Sequence, residues 1–520
     1  MSDNNKSVNF DLLKNYKDNE EKINESRAIS RLLSLSMSNN LSIKLAAIEA
    51  LGKMHDVKAI DRLLALSLSD ILEVNLAAIN ALGRNGNAKA VDFLLSLSKS
   101  SLMSIKIAVI GALGNTGNIK VVDCLLSLSM SNVMIVKVAA IEALGKIKHI
   151  KVIDHLLSLS LSNNTEVKVS VIEALGQLGD VKVIDHLSSL TLSKIMIIKI
   201  AAIRALGKIK HVKVVDCLLS LSSSNNLELK STVIKALGHM DDDKAIDCIL
   251  SLSRSDLMEI KLVAIEALGK NNNVKAVNRL LVLSLSNMLS VKLAAIEALG
   301  RSNNIKVIDR LKILSMDHNL AIKMVAINAL GQFGGIKAVD HLLLLTSSNN
   351  QDVKVAAIKS LGSTRDIKAI DCLLSLSLSN LVDVKLAAIE ALGRSCGIKV
   401  VNHLLTLSMS NTPFVKLAAI EALGKVGDTT VVDCLLPLSR NNTSSIKLVV
   451  INALGRTKGA KAVDHLLSLS QSNTMNIKLA AIKGLNNTID TKVVDRLLSL
   501  SFNVVKDVKL AAIEALVKYE

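Results

Sequence analysis

Tryptophan is absent from this 520-residue chain, and there are only five phenylalanines, two tyrosines and two prolines. So few rings leave no material for a core of large aromatic fillers, and so few prolines leave helices without kinks. Six cysteines over such a length make no disulfide framework, which implies a reducing compartment. Half the residues are hydrophobic, yet no run approaches the roughly 18 to 20 apolar residues a membrane span needs. The opening Met1-Ser2-Asp3-Asn4-Asn5 holds no signal-peptide core, and strand-type alternation is missing. These absences point to a soluble, unexported, helical protein, with the cytoplasm as the expected location.

What the chain does have is repetition. Lys44-Leu45-Ala46-Ala47-Ile48-Glu49-Ala50-Leu51-Gly52 returns letter for letter at Lys292, Lys385 and Lys416, and in edited form at every other multiple of 31 residues from Lys44 to Lys509. Sixteen copies without a slip in register mark a stack of equivalent units, so one elongated domain over 22–520 is expected in place of several separate ones. Residues 1–21 lie outside the period. With Phe10, Leu13 and Tyr16 spaced like a short helical face, they read either as a cap for the first unit or as a disordered tail.

Each unit reads as helix A, turn, helix B. In the second unit Asp56 is a natural N-cap for helix A, and its column is Asp, Asn or Gly except at Glu25, His149 and His211. Helix A is expected from about Val57 to Leu68, with Ala59, Ile60, Leu63, Leu64 and Leu66 inward and Lys58, Asp61, Arg62 and Ala65 outward. The Ser67 column is Ser in fourteen copies and Thr in two; a hydroxyl there would bond back to the carbonyl four residues earlier and let helices approach. Helix B is expected from about Ser42 to Gly52, packing Ile43, Ala46, Ala47, Ala50 and Leu51 on helix A. The Gly52 column is Gly in fourteen copies, the pattern of a left-handed C-terminal cap, and Lys or Arg follows it in ten.

Val291-Lys292, Ala294-Ala295, Ala298-Leu299-Gly300 and Gly427-Asp428 carry a pattern that resembles the short HEAT-like repeats first described in phycobilisome lyases. The resemblance covers about residues 22–520. It implies an all-α fold, a right-handed α-solenoid of sixteen two-helix repeats with the B helices on the concave side. Similar arrays act mostly as interaction scaffolds, some as lyases or chaperones for bilin attachment, and a few as hydroxylases or nucleic-acid binders. Two departures stand out: the prolines early in helix A are missing, and the second basic position of helix B is apolar, as at Leu45 and Leu293.

The charged columns allow more than one reading. Lysine fills fifteen of sixteen places in the Lys44 column, broken by Asn75. This is either a cationic track for an acidic partner or a solvated ladder paired with nearby acids such as Glu73, Glu166 and Asp352. The Lys58 column is followed three residues later by Asp in thirteen copies, so its charge is expected to be met within the same helix. The Arg62 column holds five Cys and five His. Ligands rising near 10 Å per unit cannot converge on one ion, so neither a metal nor any other cofactor is expected. No His-Glu dipeptide and no phosphate-binding glycine loop occur. The net charge of +17 keeps nucleic acid as the second reading, along the Lys53 edge, although base stacking has few platforms.

The leading expectation is a non-enzymatic scaffold that binds a protein or peptide, with acidic flanks suited to the lysine row. A lyase-like chaperone for a prosthetic group stands third. On the wheel of helix B, Lys44, Leu45, Ile48, Glu49 and Gly52 lie opposite the core side, so two apolar columns face outward. The candidate surface is thus Lys261, Leu262 and Ile265; Lys292, Leu293 and Ile296; Lys323, Met324 and Ile327; and Lys354, Val355 and Ile358. The competing reading is that neighbouring B helices press together and bury the strip.

Overall fold

A computed structural model describes residues 26–516, apart from 303, 396, 441–442, 458 and 488–490. The segment 1–21 lies outside the described residues. The fold is an all-α solenoid of sixteen helix pairs, with no strand among the described residues. By contacts the chain divides into two compact units, one made of residues up to 147 together with those from 423, the other of residues 148–422.

The same local chemistry recurs from pair to pair in both units. Helix A of the second repeat spans Val57–Leu66, two residues shorter than its pattern suggests, and the Asp56 carboxylate accepts from the Lys58 and Ala59 amides. His149 and His211, which break the Asp/Asn/Gly column, cap their helices all the same: Nδ1 of each accepts the amide two residues on. The A-to-B turn is set by a hydroxyl, since Ser69 Oγ accepts from the Ile71 amide at 3.2 Å and serines one period away repeat the contact. Inside the second pair, Ala59, Ile60 and Leu63 of helix A and Val74, Ala78, Ala81 and Leu82 of helix B are all at most 1 % exposed. Alanine and leucine at fixed spacing let the helices close on one another without aromatic filler.

Two expectations fail here. The Gly52 column is not left-handed: Gly52 has φ −67° and ends helix B in a right-handed turn. Its glycine serves close approach, because a Cβ at Gly52 would fall 2.5 Å from Ala81 Cβ in the next B helix, and at Gly83 one would fall 2.6 Å from Ala112 Cα. The left-handed glycines come three residues later, at Gly86, Gly117 and Gly179, in the turn to the next helix A. The Ile48 column is the second failure. Each of its sixteen isoleucines is fully buried, Ile265, Ile296, Ile327 and Ile358 included. A wheel for one helix counts one neighbour, whereas the Gly-to-Ala approach sets another B helix against each side and takes the isoleucines into the core.

Candidate functional site

Hydrogen bonds between consecutive A helices account for the column of Arg, His and Cys. Ser36 Oγ donates to Leu33 O at 2.6 Å, three residues back where four was expected, which leaves its lone pairs to accept Arg62 Nε–H at 2.7 Å. Arg279 and Arg310 treat Ser253 and Ser284 in the same way. His341, His403 and His465 place Nε2 2.7, 2.5 and 2.6 Å from Ser315, Ser377 and Ser439. Each of those hydroxyls already donates to a carbonyl, so the imidazole is the donor and carries its proton on Nε2. Cys124 Sγ donates to Ser98 Oγ at 3.3 Å. In these bonds three chemically different side chains of the column present an N–H or S–H to one buried hydroxyl, while Phe93 of the same column has none to present. Burial pushes His155, His186, His341, His403 and His465 below the usual imidazole range, with Lys312 adding to the effect on His341 and Arg440 on His465. His186 departs from the pattern, its Nε2 buried without a hydrogen-bond partner, and nothing in the structure explains it. The five described cysteines are free thiols, and no group of three or more metal-ligating side chains occurs among the described residues.

The Lys58 ladder also runs between repeats. Lys89 pairs with Asp61 at 2.5 Å, Lys275 with Asp247 at 2.9 Å and Lys461 with Asp433 at 2.7 Å, each reaching 28 residues back to the preceding unit. The expected pairing within one helix is therefore corrected: the pairs are exposed and bridge consecutive A helices. On the B helices, Glu49 meets Lys53 and Arg84, and Glu266 meets Lys270, so part of the Lys53 edge is also paired.

The Lys44 column is different. All fifteen lysines are half-buried, and none of their ammonium groups makes an ion pair or hydrogen bond with a described residue. Its exception is instructive: Asn75 is buried and donates to Ser67 O at 2.6 Å, placing this column beside the carbonyl end of helix A. Next to the lysines, the Leu45 column keeps partial exposure in fourteen copies and loses it only at Ile200 and Ser231.

Of the candidate residues, Lys261, Leu262, Lys292, Leu293, Lys323, Met324, Lys354 and Val355 are half-buried at the surface of unit 148–422. The four isoleucines lie beneath them. One contributor escaped the sequence reading. Leu289, Leu320 and Val382, at the first turn of helix B, are 42 to 56 % exposed and sit four residues before the Leu45 column, on the same helical face. The signal was present in the spacing. No described helix is long and apolar enough to cross a membrane.

Comparison with known proteins follows from this geometry. The family model for HEAT repeats matches residues 134–194, 197–269, 339–419 and 401–475, and the model for the PBS lyase HEAT-like repeat matches 43–69. No curated protein matches the chain. Similar solved structures include a Kap95:Nup1 complex, at 11 % identity over 100 % of this chain and 86 % of that one, with a TM-score of 0.48. Yeast importin-β (Kap95p) is similar at 12 % identity over 100 % and 86 % of the two chains, TM-score 0.48. A structure of Kap95p bound to RanGDP is similar at 11 % identity over 95 % and 87 %, TM-score 0.46.

Proposed function

Because the chain belongs to the HEAT-repeat family, whose model matches more than half of it, we propose that it is a non-enzymatic protein-binding scaffold whose partner docks on the B-helix face. One observation carries the reading. A partly exposed apolar column runs beside fifteen half-buried lysines that no described acid neutralises. An apolar row alone is ordinary on a protein surface. Repetition over seven repeats in each compact unit, with cations alongside, suits an extended or amphipathic peptide that carries acidic flanks.

The unpaired lysines also suit a polyanion, and salt separates the two readings. A peptide held mainly by apolar contact gives a shallow dependence of log K on log salt, whereas a nucleic-acid backbone gives a slope of several units. Titrating binding of the partner captured by the chain between low and moderate salt should give the shallow slope. A steep one contradicts the proposal and favours the polyanion.

A further inference from the structure

The first and last repeats touch. Within the unit that unites residues up to 147 with those from 423, helix Leu41–Leu51 packs on helix Lys506–Leu516. Arg31 Nε donates to Ser501 Oγ at 2.5 Å and its NH2 group donates to Ser501 O at 3.0 Å, the contacts that Arg62 makes to Ser36. Arg27 pairs with Asp495 as Lys89 pairs with Asp61. The register is that of a regular joint, since the separations of 26 and 470 residues together make sixteen periods of 31. The two ends of the chain therefore meet as consecutive repeats meet.

One feature sets this joint apart. No turn connects its halves, so parting them requires no helix to unfold, whereas every other described joint is tied by the chain itself. Beside it, at the joint between the last two repeats, the column of close-approach glycines reads Asn486. At Gly424 and Gly455 of the same column a Cβ would collide with the facing residue of the next B helix, so a larger side chain works against close approach. Asn486 Oδ1 is buried without a hydrogen-bond partner, a sign of imperfect fit beside the last repeat. Ala28, Ile29 and Leu32 of the first repeat are buried, and the polar contacts across the joint are the Arg31 fork, its guanidinium 3.1 Å from the Phe502 ring centre, and the exposed Arg27–Asp495 pair.

We infer that the contact between the first and last repeats is a reversible closure, the point at which this unit opens and closes with every helix intact, latched by Arg31 and Arg27. Opening frees two complementary end faces. Single-molecule energy transfer between dyes on non-canonical side chains at Ser30 and Ser499 reads the state directly. The full-length chain should show a dominant high-transfer population exchanging with a minor low-transfer one. Arg31→Ala should raise the open-to-closed ratio at least tenfold; R27D should raise it too, and the swap R27D/D495R should restore it. Amide exchange of residues 41–51 in Arg31→Ala separates opening from unfolding: retained protection with lost transfer supports the closure, and lost protection with lost transfer overturns it. A single high-transfer population unmoved by Arg31→Ala, or a charge swap that restores nothing, also overturns it.

Discussion

Arg62 donates through Nε to the Ser36 hydroxyl at 2.7 Å, across the joint between two A helices, while that hydroxyl donates its own proton to Leu33 O. The buried serine is thus a relay that calls for a donor 26 positions on, met by Arg62 here and by His341, His403 and His465 elsewhere, and left unmet at Phe93. This requirement makes His an equivalent of Arg only while its ring is held in place, and it ties the joints to pH.

The five column histidines have folded-state pKa values lowered by burial, against about 6.5 when unfolded. The unfolded chain then binds the extra protons, so their contribution to stability is complete above about pH 6.5 and is lost as pH falls below it. The urea midpoint should be lower at pH 5.5 than at 7.5. The triple variant H341R/H403R/H465R should lose part of this difference, since arginine makes the same bond without titrating, and Arg279 beside Arg254 already shows that a basic neighbour is tolerated. An unchanged pH difference in the triple variant would refute the role.

Close approach at the glycine column makes a second prediction. A Cβ at Gly269 would lie 2.7 Å from Ala298 Cβ and 3.0 Å from its Cα. Gly269→Ala should therefore destabilise by about 1 to 3 kcal/mol, and adding Ala298→Gly should recover much of the loss. The pair Gly455 and Gly484 is a natural instance of the second residue yielding space. Thermal melts of the three variants decide the matter, and a Gly269→Ala protein as stable as the parent would show the contact to be slack.

Burial of the isoleucine column reverses what a helical wheel suggests. Replacing Ile296, Ile327 and Ile358 together by Glu should cost about 4 kcal/mol or more, since unpaired charge would enter the core. Circular dichroism and a broadened unfolding transition would report it. A well-folded triple variant would mean that the B helices part easily.

Most of the fold was legible because a strict period of 31 fixes which residues are equivalent, and caps, turns and core alanines follow one by one. What the period hides is direction across a joint. Lys89 has an acid three residues ahead on its own helix, Asp92, and another in the preceding repeat, Asp61; spacing alone favours the first, while the packed A helices bring the second within 2.5 Å. Gly52 looked like a cap because capping is a property of one helix, whereas its contact with Ala81 belongs to two. The approach of Arg31 to Ser501 was out of reach for the same reason, since a repeat names its next neighbour and says nothing of how the ends meet.

The candidate surface was half legible, and its central test uses the half that remains accessible. Leu262, Leu293, Met324 and Val355 changed together to Ser should leave helix content intact, because all four are only half-buried. As a control, Ile305, Ile336 and Ile367 on exposed helix-A starts, 62 to 76 % accessible, are changed to Ser. Quantitative affinity capture from the native cells should recover the same partner proteins with the parent and the control, and lose them by at least tenfold with the B-helix variant. Equal recovery by the folded B-helix variant, or equal loss from the control, would contradict docking on the B-helix face.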